Sequence, residues 1–478
     1  MTRAEPTATD LLMLPGSVGQ TLADHEITDL LSYFDPDAVF VLDDGENQSV
    51  VNTLRDQDVI VIAPGQDDNA TGIYTMRDVD VIIVSNFTDL SGIRAAESKD
   101  LIDPETETFV VSDLLDLHVD REQLNTSLDG GDNYRDALGD NLSGSYTHIS
   151  TQLPASYSRD WEDLHIQGGA PPDSQGQPPI PCLTLRTDGY VTVETLSSQQ
   201  LGLKAIDNVG PTMADRLREN NFSSADTIVS ADLSELQEVN GIGEKRANQI
   251  TNAATAMTNG RVVRTSDSPV PGEDPIFIDI ETDGLNATIT WLIGVQDGVN
   301  GKYISFLNEN PDEPGKAVRD FMMWVKANAK NRTFIAWNGW GFDYEILRDH
   351  IVEYCPEYLD TWESLSKRDL LRWAIEMENA VLPGRTNKLE HVAEGLGWET
   401  DSTGLSGKAV GEAYRHWVQE RTPEAELDWE RHCEYCQDDV ESLAHIYKEI
   451  RNEGRLAAKG GGTESVAETT DQGTLAEW

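Results

Sequence analysis

Ile276-Phe277-Ile278-Asp279-Ile280-Glu281-Thr282-Asp283-Gly284 is the stretch on which the reading of this chain turns. The alternation fits a β-strand, in which every second side chain shares a face, so Asp279 and Glu281 stand side by side. Two carboxylates so placed can share hard divalent cations. Thr282-Asp283-Gly284 then turns the chain. Two more segments carry acidic residues in defined settings. In Phe334-Ile335-Ala336-Trp337-Asn338-Gly339-Trp340-Gly341-Phe342-Asp343 a short strand runs into a glycine-containing turn, and Asp343 opens a helix. In Tyr435-Cys436-Gln437-Asp438-Asp439 the helix running on to Leu443 places Tyr435 and Asp439 on one face, four residues apart.

Together, in this order, the three motifs resemble the DEDD superfamily of 3′–5′ exonucleases, tyrosine subclass. Lys388 and the helix Leu389-Glu390-His391-Val392-Ala393-Glu394-Gly395-Leu396-Gly397 are similar to the segment between motifs two and three in family-B polymerase proofreading domains. The resemblance implies an RNase H-like fold over residues 275–456 and two Mg²⁺ or Mn²⁺ ions. Asp279 would bridge both. Glu281 and Asp439 would hold the ion that carries the attacking water, and Asp343 would support the second. Tyr435 would orient the nucleophile, and Asn338 would contact the terminal nucleotide. Trp340 is a candidate for stacking on a base, as is Trp337, for which core packing is the stronger expectation. A stand-alone relative, without a polymerase domain after it, is expected. Cys433-Glu434-Tyr435-Cys436 has the spacing of a zinc or redox pair, but there is no second pair and it coincides with the third motif; it reads as structural.

Upstream, Val239-Asn240-Gly241-Ile242-Gly243-Glu244-Lys245-Arg246 has helix-hairpin-helix character. Gly241 and Gly243 allow a tight turn that a phosphate can approach. The helix beginning at Glu244 aims free N–H groups at that turn, and Lys245 and Arg246 add positive charge. Asp207-Asn208-Val209-Gly210-Pro211 is a second, degenerate copy, with Asn208 in place of its first glycine and Gly210 matching Gly243. Residues 200–258 thus resemble the tandem helix-hairpin-helix units of DNA repair proteins.

Residues 1–197 read as a separate α/β domain. Its runs Ala38–Leu42, Val59–Ile62, Val81–Val84 and Thr108–Val111 are continuously apolar, which predicts a sheet covered on both faces. Cys182–Arg186 and Tyr190–Val193 predict a hairpin about Asp188-Gly189. Pro15-Gly16-Ser17-Val18-Gly19 lacks the core of a phosphate loop, and His25, His118, His148 and His165 lack ligand spacing, so no site is expected there. Residues 259–274 read as a polar linker. Residues 459–478 read as a flexible tail, in which Gln472, Leu475 and Trp478 resemble the motif by which replication enzymes bind the sliding clamp.

The chain has 478 residues, which is room for about two to four domains. Four cysteines exclude a disulfide scaffold. No apolar run approaches the roughly 20 residues of a membrane span, and Met1–Pro6 lacks the order of a secretory signal; a cytoplasmic location and no membrane partner are expected. The formal charge is −49, from 36 Lys+Arg against 85 Asp+Glu spread over the whole length. That distribution, with lysine scarce, resembles proteins of salt-loving archaea. Concentrated salt screens such a charge over about 3 Å at 1 M, so acidity does not exclude a nucleic-acid substrate. The expectation is a two-metal 3′–5′ exonuclease on DNA, in repair or replication. A non-catalytic DNA-binding scaffold with a vestigial exonuclease fold and an RNA-processing exonuclease are the rivals.

Overall fold

The computed structural model describes residues 8–453 apart from 43–47, 58, 64–71, 78, 105, 121–124, 140–141, 155–156, 162–163, 171–178, 285–286, 400–402, 404, 406 and 423–425. The tail residues Gln472, Leu475 and Trp478 lie outside them.

The stretch that opened the analysis is the central strand, Pro275–Thr282, of a five-stranded sheet. Thr290–Asp297 pairs antiparallel on one side, followed by Tyr303–Leu307. Thr333–Ala336 pairs parallel on the other, followed by Ser366–Asp369. The two faces of the central strand go to different cores. Ile276, Ile278 and Ile280 pack with the helices Lys316–Asn328 and Asp343–Tyr354. Phe277 packs with the long helix Trp429–Asn452. Asp279 and Glu281 continue the Phe277 face, so the third-motif helix lies over both carboxylates.

The helix-hairpin-helix unit consists of Pro211–Glu219, Ala225–Ser230, Leu233–Gln237 and Glu244–Asn259 around one apolar core. The segment after it is not a free linker. Val263–Arg264 pairs antiparallel with Ala380–Val381, the Arg264 guanidinium lies over the Trp373 ring, and the Tyr447 hydroxyl donates to the Gly272 carbonyl. Polar composition hid this, because Val262 and Val263 supply the burial and two residues make too short a strand to show a period.

The described N-terminal residues fold as two large sheets, not one, with a two-stranded ribbon of Asp116–Asp120 and Asn125–Asp129 besides. A five-stranded sheet contains Ala8–Pro15, Ala38–Leu42 and the hairpin Ile180–Arg186/Val191–Leu196. A six-stranded sheet contains Val79–Val84, Thr108–Ser112 and Tyr146–Pro154. They pack face to face through Leu11, Met13, Phe40, Val81, Phe109 and Ile149. Helices cover the outer faces, with Asp24–Phe34 and Gln48–Arg55 on one side and Phe87–Glu97 and Gly131–Leu138 on the other. A continuously apolar strand reports that both faces are buried, but not that a second sheet does the burying. The predicted hairpin turns at Gly189, with φ at +84°.

This domain docks on the domain built around that central strand through a polar seam. Arg385 makes a two-pronged ion pair with Asp29, at 2.6 and 2.7 Å, and donates to the Gln200 carbonyl at 2.8 Å. Its guanidinium lies over Tyr33, whose hydroxyl donates to Glu194 at 2.6 Å. His391 closes the seam on Glu194 at 3.1 Å.

Candidate active site

The sheet and the helix above it bring the three motifs together. Asp279 and Glu281 come from the central strand, Asp343 from the first residue of its helix, and Tyr435 and Asp439 from one face of the long helix. Burial and mutual repulsion dominate the electrostatics. Burial and the Asp343 charge push Asp279 well above the usual carboxylate range. Burial, then Asp279, Asp439 and Asp343, do the same to Glu281. Burial, then Asp279 and Glu390, raise Asp439, against a hydrogen bond from Tyr435. Burial is also the main cause that raises Asp343 to about 7, with Asp369 and Asp439 adding to it. Burial and the carboxylates around it hold the Tyr435 hydroxyl protonated, as a donor.

Such a cluster fits divalent cations. Like charges gathered in a buried place cannot all ionise unless positive charge joins them. Among the described residues no Lys or Arg pairs with Asp279, Glu281, Asp343 or Asp439. The closest set of ligand atoms differs from the expected carboxylates. Oxygens of Asp279 and Glu281 and the sulfur of Cys436 all lie within 4.8 Å of one another. Cys436, set aside in the sequence as half of a structural pair, therefore borders the cluster, while Cys433 stands half-buried one turn earlier. Asp438 is taken by Trp398, whose Nε1 donates to it at 3.0 Å.

The second motif shapes the rim. Asn338 has φ of +57°, and the Gly341 N–H donates to its carbonyl at 2.8 Å. Asparagine tolerates that left-handed backbone, so Asn338 has a local reason to be there besides any contact with substrate. Trp340 is 41% exposed and packs edge-to-face with Tyr344. Trp337 is half-buried, and its Nε1 donates to the Asn387 carbonyl at 3.0 Å, in line with core packing.

Asp369 was not anticipated. It ends the edge strand, accepts from the Trp340 N–H at 3.2 Å and the Arg372 N–H at 3.0 Å, and so ties the second-motif turn to the sheet. No local pattern marks it, because the contact depends on strands paired across the sheet.

The two hairpin turns are built alike. Asn208 and Gly241 both have positive φ, at +70° and +93°. Gly210 and Gly243 both sit just before a helix, with ordinary φ of −82° and −92°. A Cβ on either of the latter two would meet nothing within 4 Å. The fold does not require those glycines; a ligand approaching the backbone would. Lys245 and Arg246 are exposed, and Arg246 donates to the Asn208 carbonyl across the unit. Arg216, which sequence reading passed over, does the reverse, donating to the Asn240 carbonyl at 3.0 Å.

Residues 276–451 match the family described as the RNase H superfamily, and residues 201–256 the SAM-like helix-hairpin-helix tandem. The chain thus carries an RNase H-like domain and a helix-hairpin-helix tandem. No curated protein matches the sequence. Solved structures similar to part of it include the zinc-bound complex of E. coli exonuclease I with single-stranded DNA, 18% identical over 32% of this chain and 41% of that one, with a TM-score of 0.21. The complex of E. coli exonuclease I with a dA16 oligonucleotide is 18% identical over 32% of this chain and 42% of that one, TM-score 0.21. The exonuclease I/SSB-Ct complex is 18% identical over 31% and 41%, TM-score 0.21. This chain spans about two-fifths of the length of the exonuclease I chains it matches. No described helix is long and apolar enough to cross a membrane.

Proposed function

We propose that the protein is a metal-dependent 3′–5′ exonuclease acting on DNA, most readily on single-stranded ends, in repair or replication. The observation that carries this reading is the convergence of buried Glu281 and Asp343 with half-buried Asp279 and Asp439 beside Tyr435, a set of like charges that cations would relieve. Asp279, Glu281 and Asp439 would hold one Mg²⁺ or Mn²⁺, and Asp279 with Asp343 a second. Bound there, the ions would supply an activated water and a counter-charge for the leaving 3′-oxygen. Tyr435, kept protonated, orients the nucleophile by hydrogen bonding. Asn338 and the exposed Trp340 receive the terminal nucleotide, and burial under the long helix limits bulk water around the carboxylates.

The helix-hairpin-helix tandem would hold the backbone of the same nucleic acid. Open space at Gly210 and Gly243 supports close phosphate approach, and Lys245 and Arg246 offer charge nearby. We further read the tail at Gln472, Leu475 and Trp478 as a tether to the sliding clamp, and the acidic surface as that of a protein working in the salt-rich cytoplasm of a haloarchaeon.

The test is cleavage of 5′-labelled single-stranded DNA and RNA in high-KCl buffer with Mn²⁺ or Mg²⁺, alongside Asp279→Ala and Asp439→Ala. A ladder shortening from the 3′ end, lost in both variants, is the expected result, and the better-cut substrate identifies the nucleic acid. No metal-dependent cleavage by folded protein would turn the reading to a non-catalytic DNA-binding scaffold.

A further inference from the structure

The Cys436 sulfur lies 4.0 Å from Asp279 Oδ2, and the two share a neighbourhood with a Glu281 oxygen, all three within 4.8 Å. A tetrahedral ion bound to a thiolate at about 2.3 Å and a carboxylate at about 2.0 Å sets those two ligand atoms roughly 3.5 Å apart. The spacing here needs only a small closure to reach that. Glu281 is 5% exposed, and among the described residues its carboxylate accepts no hydrogen bond and meets no cation. It is a buried acceptor aimed at the same point.

The neighbouring strand leaves room for the sulfur. Gly294 is the antiparallel partner of Asp279. A Cβ at Gly294 would fall 2.6 Å from Cys436 Sγ and 2.9 Å from the Tyr303 ring. Glycine within a strand weakens the sheet and marks a close approach. Here the approach is that of the Cys436 sulfur and the Tyr303 ring to the strand. The Tyr303 hydroxyl donates to the Cys433 carbonyl at 3.5 Å.

We propose that this site takes a thiophilic divalent cation of the zinc class through Cys436 Sγ together with Asp279 and Glu281. The inference rests on the nuclease reading only for the role of the two carboxylates. On binding, the S–H bond breaks, its proton goes to solvent, and the sulfur lone pair forms the metal–sulfur bond; nothing is oxidised or reduced. Mg²⁺ is a hard ion that leaves the thiol protonated. A zinc-class ion therefore competes with Mg²⁺ for Asp279 and Glu281 while using a ligand that Mg²⁺ does not.

Titrating the metal-free full chain with Co²⁺ reads the contact directly, because a cobalt–thiolate bond adds a charge-transfer band in the near ultraviolet. The band should form in the native protein and in Cys433→Ser, be absent in Cys436→Ser, and weaken in Asp279→Asn, which keeps the thiol. Zn²⁺ should displace the cobalt and bind Cys436→Ser at least about tenfold more weakly. Circular dichroism of each variant separates loss of the site from loss of the fold. No band in the folded native protein, a band that persists in Cys436→Ser, or one indifferent to Asp279→Asn overturns the proposal. Cleavage with Mg²⁺ is scored separately. A band without cleavage would sink the nuclease reading and keep this one; cleavage without a band would do the reverse.

Discussion

Asp343 shows what a buried carboxylate does to its own protein. Its usual value is 3.8, and burial with the charges of Asp369 and Asp439 raises it to about 7. A carboxyl raised on folding binds more protons folded than unfolded. Its contribution to stability is therefore complete below about pH 4 and is lost as pH rises to about 7. The metal-free protein should lose melting temperature over that window, and Mn²⁺ should restore it increasingly at the upper end, because binding displaces the proton. Asp343→Asn keeps the neutral form. It should flatten this slope, raise metal-free stability at pH 8 and reduce cleavage by two or more orders of magnitude. Thermal melts with EDTA and with Mn²⁺ from pH 5 to 8 test the first parts, and the oligonucleotide assay the last. A variant whose slope equals that of the native protein would contradict the account of Asp343.

At the scale of the element, the second hairpin separates glycines the fold needs from a glycine only a ligand would need. Gly241 has φ of +93°, and a Cβ there would lie 2.8 Å from Arg216 Nη1. Gly241→Ala should cost about 1–2 kcal/mol in chemical denaturation. Gly243 has ordinary φ and open space, so Gly243→Val should melt close to native while weakening duplex binding several-fold in an anisotropy titration. Cleavage of short single strands should be spared, and equal loss of binding and cleavage would contradict this division of labour. The elements also show how much was legible. All three acidic motifs lie on the expected strand, turn and helix, because their short-range patterns coincide with their elements. Asp369 was not legible, since it acts through a backbone contact to Trp340 that depends on parallel pairing of two strands about thirty residues apart.

For the whole molecule, two forces can be tested. The net charge of −49 repels itself at low ionic strength. Raising KCl from 0.1 to 2 M should raise the melting temperature, and a fall would contradict the halophilic reading. The seam between the N-terminal domain and the RNase H-like sheet rests on Arg385, whose side chain is 9% exposed. Arg385→Ala leaves Asp29 without its guanidinium partner and should cost about 2 kcal/mol or more. The loss should appear as a lower midpoint or as a separate early transition of one domain in calorimetry. An unchanged thermogram would show that the seam contributes nothing.

The sequence by itself determined which residues are chemically equipped. Asp279 and Glu281 share a face because strands repeat every two residues, and Tyr435 and Asp439 share one because helices repeat every 3.6. Asn208 stands where Gly241 stands in the second copy because both adopt a left-handed turn. The tertiary structure alone decided what surrounds them. It gathered the carboxylates until they repel one another, opened space at Gly294 for the Cys436 sulfur, paired two N-terminal sheets instead of one, and joined Arg385 to Asp29 across 356 residues. Local periods record the direction a side chain takes from its own backbone. They carry no record of what packs against it from elsewhere in the chain, and in this protein the electrostatics of the cluster come from that packing.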